Sequence, residues 1–185
     1  MADAAAALRH STSYRVVGQL DDQLTVSLTV TPNGTRGTVT SHGITWQDVE
    51  LHGKVWFRGS QLWRNTVSRA KARGFGNRWV LVRDKAAGFG WRDPLSDVQV
   101  AIPTVFFAPK GDMVSLGTRT IDGRSVVRIK NGPDYHDVLA SGTPYPIDWL
   151  ETDEPGPDGQ PCGVTLSDFN SAITVTAPTT SLVDS

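Results

Sequence analysis

The chain has 185 residues, with 18 Lys and Arg against 19 Asp and Glu and a formal net charge of −1. This balance excludes an overall positive field that would attract nucleic acid. The single cysteine, Cys162, excludes an intrachain disulfide, and no apolar run approaches the roughly 20 residues of a membrane span. The length, the 18 glycines and the 11 prolines predict one turn-rich β domain over residues 1–185.

The first predicted elements are a short helix and a run of strands. Residues 4–9 are alanine-rich and follow Asp3, which predicts a helix with an aspartate N-cap. Residues 24–30 alternate strictly between apolar and polar side chains, as in a half-buried strand, so we expect their apolar members to be buried together. These members are Leu24, Val26, Leu28 and Val30. Five consecutive strands between residues 13 and 58 predict an antiparallel meander rather than parallel β-α-β units.

One strand of this meander changes its pattern part-way along. Residues 44–51 begin with apolar side chains at even positions, such as Trp46, and continue with apolar side chains at odd positions, such as Val49. Because side chains alternate between the two faces of a strand, this shift predicts a β-bulge near Gln47-Asp48.

A group of polar residues surrounds the same strand. His42 and His52 flank Asp48 and Glu50, a combination that can hold a metal ion or carry out acid–base chemistry. The interpretation that we favour is turn histidines with solvated carboxylates on an outer strand face. No nucleophile elbow, metalloprotease helix or phosphate-binding loop is present, so we predict neither an enzyme nor a metal site.

Two segments break the strand pattern and favour helices, residues 61–76 and residues 94–107. The first contains Arg69, Lys71 and Arg73, a basic cluster that could contact phosphate or sulfate head groups. The alternative interpretation is an ordinary solvated helix face.

The C-terminal part returns to strands. Asp122-Gly123 predicts a tight hairpin turn, and residues 163–178 alternate on both sides of a polar turn, which predicts a closing β-hairpin. We expect residues 179–185 to be a frayed tail, and we expect residues 1–3 not to be the natural start of the protein.

Several of these segments resemble the LolA-like lipoproteins, in particular the LppX/LprG group of actinobacterial cell-envelope lipoproteins. The similar sequence segments occur in the same order along this chain as in that family. The segments are ALRHSTSYR (residues 7–15), GKVWFRG (53–59), IDGRSVVRI (121–129), GTPYPI (142–147) and GVTLSDFNSAITVTAP (163–178). The family's lipid-bearing cysteine would lie upstream of Met1, and Cys162 lacks the small-residue context expected of a lipidation site.

The resemblance implies an α+β fold in which a curved antiparallel sheet of about eleven strands, a half-barrel, wraps over a few short helices. It also implies non-catalytic binding, with transport, of a lipid or other long apolar molecule, and no cofactor. The residues expected to line the apolar cavity are Trp46, Val55, Phe57, Leu62, Trp63, Trp79, Phe106 and Trp149, with Arg69 and Arg73 at the head-group rim.

The same resemblance implies an extracytoplasmic protein of the cell envelope. Such a protein is lipid-anchored to the plasma membrane after its signal peptide is removed, or it is secreted. A second hypothesis comes from a different functional class. An envelope sensor or interaction domain would use its apolar face to bind a protein partner, and its sheet would be filled by its own side chains instead of leaving a cavity.

Overall fold

The structure, a computed structural model, describes residues 1–20, 23–82, 102, 111–155 and 161–183. Three helices lie in these ranges: α1 (Ala2–Arg9), α2 (Ser60–Thr66) and α3 (Arg69–Phe75). The strands are β1 (Tyr14–Gln19), β2 (Leu24–Thr31), β3 (Gly34–Ser41), β4 (Ile44–Leu51), β5 (Lys54–Arg58), β6 (Val80–Val82), β7 (Met113–Ile121), β8 (Arg124–Asn131), β9 (Asp134–Leu139), β10 (Pro146–Pro155), β11 (Pro161–Ser167) and β12 (Leu182–Val183). None of the described helices is long and apolar enough to cross a membrane.

All twelve strands belong to one sheet, in the order β12-β6-β5-β4-β3-β2-β1-β11-β10-β9-β8-β7. Two antiparallel meanders, β1–β6 and β7–β11, meet at the centre, where β1 pairs with β11 and Val16 lies opposite Leu166. Only β12 pairs in parallel, with β6, among the described strands. The curved, mostly antiparallel sheet with its short helices confirms the predicted α+β fold, with twelve strands in place of about eleven.

Tight two-residue turns set the register of three hairpins. In each turn both residues have positive φ, for example 50° at His42 and 74° at Gly43. Positive φ at both positions is the geometry of type I′ turns, whose twist matches that of paired strands. The other two pairs are His52-Gly53 and Asp122-Gly123. The predicted turn at Asp122-Gly123 is therefore confirmed, and His42 and His52 occupy turns as expected.

The inner face of the sheet, which α1, α2 and α3 cover, holds the main apolar core. From β2, the side chains of Val26, Leu28 and Val30 are buried in this core, and Leu24 packs against it partly exposed. The polar residues between them remain partly or fully exposed. The alternation predicted for this strand is confirmed.

The bulge predicted in β4 is wrong. β4 pairs continuously with β3 and β5, and Asp48 lies opposite both Gly37 and Phe57. Asp48 therefore points to the inner face, where it is fully buried, and Val49 points to the outer face. Val49 is also buried because Trp56 and Val175 cover it there. The apolar pattern of β4 shifts because its first half is buried on the inner face and Val49 is buried on the outer face. The backbone pairing of the strand is regular.

The predicted closing hairpin is also wrong in its second half. β11 already pairs with β1 on one side and β10 on the other, so it has no free edge for a further strand. After β11 the chain turns through Asp168 and Asn170, both at positive φ, and runs over the outer face of the sheet. Val175 packs there against the outer-face cluster.

The two ends of the chain differ from expectation. The helix α1 begins at Ala2 rather than at residue 4, with Met1 as its N-cap. At the other end, Leu182 pairs with Val80, so the segment expected to fray forms a short strand instead. The Leu182 N–H also donates to the Trp79 carbonyl oxygen at 2.8 Å, which fixes the end of the outer-face segment to β6.

Candidate functional site

Six of the eight residues expected to line a cavity come together in the inner-face core. They are buried to 9% exposure or less and belong to one contiguous cluster. The six are Trp46, Val55, Phe57, Leu62, Trp63 and Trp149. Strands β4, β5 and β10 supply four of them and α2 supplies two, so the cluster spans the space between the sheet and its helical cover.

One predicted residue, Trp79, lies elsewhere. Val80 faces inward beside Phe57, and strand alternation therefore directs Trp79 to the outer face. Trp79 packs there beside Leu81 against the outer-face cluster, so its assignment to the cavity is not supported. Phe106 lies outside the described residues.

Sequence reasoning missed other members of the inner cluster. Ile102 is buried to 1% exposure in it, and Ala72 and Phe75 join it from α3. The Trp63 ring meets the Phe75 ring edge-on at a centroid distance of 5.1 Å. The Phe57 ring is tilted against it at a centroid distance of 6.5 Å. Spacing within residues 61–76 indicated an apolar helix face, but the break at Val67 that produces two helices was not apparent.

Local geometry places these two helices over the sheet. At Gly59, which precedes α2, a Cβ atom would lie only 2.9 Å from the Trp46 Cβ, so glycine allows the helix to start against the sheet. Ser68 then starts α3, because its side-chain oxygen accepts a hydrogen bond from the Lys71 backbone N–H at 3.4 Å. The result is a short helical corner above the inner face.

An open-sided cavity of about 640 Å³ lies at this corner, and we call it the α2–α3 cavity. Its lining residues are Ser60, Arg64, Arg69, Ala72, Arg73 and Gly76. Ala72 also belongs to the inner cluster, so the apolar core reaches the wall of the cavity. Arg69 and Arg73, the predicted rim residues, both contribute to the lining. Arg64 was missed because only the tertiary arrangement brings α2 to the basic face of α3.

The segment that carries the cavity is strongly basic in sequence. Residues 51–82 contain seven Lys and Arg and no Asp or Glu, although the whole chain has slightly more acidic than basic residues. The ion pairs that Asp137 and Asp148 form with Arg119 and Arg128 lie on β7–β10, far along the sheet from the cavity. Arg64, Arg69 and Arg73 take part in none of them.

The inner face also holds buried polar groups. Asp48, Asp134 and His136 are fully buried, and the Tyr14 side chain is 5% exposed. Burial raises the pKa of the Tyr14 hydroxyl, since the charged phenolate loses its hydration. The expectation that Asp48 is a solvated carboxylate on an outer face is therefore wrong. Within the described ranges, no group of three or more His, Cys, Asp or Glu is placed to hold a metal ion.

A second charged region lies on the outer face over β7–β10. Both Arg119 and Arg128 bind the buried carboxylate of Asp137, with Arg119 Nε at 3.0 Å and Arg128 Nε at 3.1 Å from its Oδ1. This hydrogen bonding raises the pKa of Arg128. Burial, followed by the charge of Asp137, raises the pKa of the neighbouring Asp148. We name this group the Asp137 cluster.

Comparison with known proteins gives matches only at the level of three-dimensional structure. No family model and no curated protein matches the sequence. The crystal structure of LprF from Mycobacterium bovis matches with a TM-score of 0.65 and 14% identity, over 95% of this chain and 93% of that one. The crystal structure of the Mycobacterium tuberculosis lipoprotein LppX matches with a TM-score of 0.59 and 14% identity, over 94% of each chain.

The chain has the fold of LprF and LppX. The resemblance stated from the sequence motifs is thereby confirmed for the architecture. At 14% identity the match concerns the fold alone, so the ligand has to be argued from the side chains of this chain.

Proposed function

We propose that this protein binds, and carries, a lipid or another long apolar molecule in the cell envelope, without catalysis and without a cofactor. The observation that supports this function best is the α2–α3 cavity, whose wall at Ala72 is continuous with the buried inner-face cluster. Its 640 Å³ lies within the roughly 300–1,000 Å³ of small-molecule sites. The proposal includes an extracytoplasmic location and an N-terminal lipid anchor to the plasma membrane.

Binding would be driven by removing apolar surface from water, at about 25 cal/mol per Å². An acyl chain would enter beside Ala72 and separate α2 and α3 from the sheet, where Trp63 and Phe57 form the apolar walls. The helical corner is short, with seven residues in each helix, and helices of that length depend on tertiary packing for their stability. A small displacement of the corner is therefore the most economical way to admit a ligand.

Native mass spectrometry of protein purified without detergent tests this function first. We expect a fraction of the protein to carry a co-purified lipid, and a fluorescent fatty acid to bind saturably. Ligand at about 100 times its Kd adds about 2.7 kcal/mol to the free energy of unfolding, which raises the melting temperature.

A matched pair of variants locates the site. Ala72→Trp places a large side chain in the wall of the cavity, where it takes up space that a ligand would occupy. Ala70→Trp adds the same side chain at an exposed position of the same helix. We expect Ala72→Trp to weaken fatty-acid binding about tenfold and Ala70→Trp to leave it unchanged. Ala72→Leu provides a milder test if the tryptophan disturbs folding. Equal binding by wild type and all these variants would exclude this site.

The rival function is an interaction domain that binds a protein partner. The observation that favours it is the edge strand β7, in which Met113, Val114 and Leu116 are 49–52% exposed. This function predicts no bound lipid after detergent-free purification and no uptake of the fluorescent fatty acid. It also predicts that Leu116→Lys, but not Ala72→Trp, abolishes partner binding.

A further inference from the structure

Three arginines from two helices converge on the α2–α3 cavity. Arg64 lies in the last turn of α2, and Arg69 and Arg73 stand four residues apart in α3. Residues four apart in a helix share a face, and like charges at that spacing destabilise the helix. The arrangement is therefore unfavourable unless something compensates the charge.

No acidic side chain of the described residues supplies that compensation. The lining contains no Asp or Glu, and the stretch 51–82 contains none either. The arginines of the Asp137 cluster show the alternative, because there two guanidinium groups share one buried carboxylate. The charge of the cavity is available to a ligand.

The donor set of the cavity matches a phosphate group. Guanidinium groups present a planar fork of N–H donors that binds phosphate oxygens in pairs, and three of them can surround one tetrahedral anion. Ser60, at the start of α2, adds a hydroxyl to the same lining. The cavity volume of 640 Å³ greatly exceeds that of one phosphate, so space remains for a substituent on it.

We infer that the α2–α3 cavity is a site for a phosphate group, held by Arg64, Arg69 and Arg73 with the Ser60 hydroxyl. The bound phosphate group can belong to the head group of an anionic lipid or to a soluble phosphate. The lipid source rests on the proposed function, with the phosphate at the arginines and the acyl chains directed past Ala72 into the inner cluster.

Two lipids that differ in charge but share acyl chains test the inference. Dioleoylphosphatidylglycerol carries one phosphodiester, and dioleoylglycerol carries none. We expect the folded full-length chain to take up the first at least about tenfold more tightly than the second, because only the phosphodiester accepts charge-assisted hydrogen bonds from the arginines. We also expect this preference to decrease with rising salt, since ions screen exposed charges.

Variants that each remove one positive charge distinguish a specific phosphate site from a generally positive surface. Arg64→Gln, Arg69→Gln and Arg73→Gln should each reduce the preference about tenfold. The control is Lys71→Gln, which removes one positive charge from the same helix at a position outside the cavity lining. Equal loss in Lys71→Gln and the arginine variants would show a non-specific basic surface and would overturn the inference.

Inorganic phosphate alone, compared with chloride at matched ionic strength, provides the second arm. A rise in melting temperature that the arginine variants lose supports the phosphate site even if neither lipid binds, and in that case the lipid function fails while the site stands. Conversely, equal binding of the two lipids by wild type and all variants, with no response to inorganic phosphate, overturns the phosphate site and leaves the lipid function intact.

Discussion

Two groups of arginines in this protein have opposite surroundings. In the Asp137 cluster, Arg119 and Arg128 converge on a carboxylate whose side chain is 1% exposed. In the α2–α3 cavity, three arginines line an open space, and the described part of its wall contains no carboxylate. The charges of Arg119 and Arg128 are balanced by Asp137 and Asp148 across four neighbouring strands, β7 to β10, whereas no carboxylate among the described residues lines the cavity. The same residue type is ion-paired in one place and lines a cavity in the other.

The difference follows from where each group lies in the sheet. Arg128 lies directly opposite Asp137 on the next strand, so register brings the two charges together. Tyr135 adds its ring, with the Arg128 guanidinium 5.5 Å from the centroid. The cavity arginines lie on two short helices, where neighbouring positions carry no acid. Changes in the Asp137 cluster should therefore lower the free energy of unfolding, whereas changes in the cavity arginines should lower ligand binding.

The largest effect is expected from Asp137→Asn. Removing this carboxylate leaves two guanidinium groups beside a buried neutral amide, and breaking a buried ion pair costs about 3 kcal/mol of the free energy of unfolding. Urea unfolding measures the loss. Asp122→Asn is the control, because it removes the same charge from an exposed turn and asparagine tolerates the positive φ there. A loss in Asp137→Asn as small as in the control would mean that the cluster contributes nothing to stability.

A smaller effect is expected from Asp148, and it depends on pH. Folding raises the pKa of Asp148 above its ordinary value of 3.8, chiefly through burial, so the folded protein holds the proton more tightly than the unfolded chain. Its contribution to stability is greatest below pH 3.8 and is lost as pH rises through and above that value. Asp148→Asn should therefore gain stability relative to wild type between pH 3 and pH 6, measured by denaturant unfolding at each pH. A difference that is constant with pH, or that falls, would contradict this assignment.

The smallest effect on stability is expected from the cavity arginines. Arg69→Gln or Arg73→Gln should change the free energy of unfolding by no more than about 0.5 kcal/mol, with a slight gain where repulsion is relieved. Arg128→Gln is the comparison variant and should destabilise clearly, because it takes a charged partner from buried Asp137. Thermal unfolding at low salt shows the contrast best. Similar losses in the two groups would mean that the cavity arginines are structural after all.

Several parts of the fold could be predicted from the sequence because their causes are local. The alternation from Leu24 to Val30 required only a strand with one covered face. The Asp122-Gly123 turn required only residues that tolerate positive φ. Motifs spread along the chain indicated the architecture, and the matches to LprF and LppX confirm it. A single domain over residues 1–185 stays a prediction.

The errors share one physical cause. The sequence predicts Asp48 on a solvated outer face, a bulge before Val49 and Trp79 in the cavity, and none of these predictions includes a segment that covers the outer face. Instead, the C-terminal segment crosses it and buries Val49 under Val175. The same segment was read as a strand, since a strand pattern does not tell whether a neighbouring edge is free, and β11 has none.

The sequence by itself determined the meander of strands in the first third of the chain, the Asp122-Gly123 turn and the basic, acid-free stretch from residue 51 to residue 82. These properties depend on neighbours within a few positions. Only the tertiary structure decided which face of β4 is inside, where the C-terminal segment lies, and that Arg64 joins Arg69 and Arg73 around one cavity. The physical reason is that burial and charge compensation depend on what the rest of the chain places against a residue, and periodicity alone cannot specify that partner.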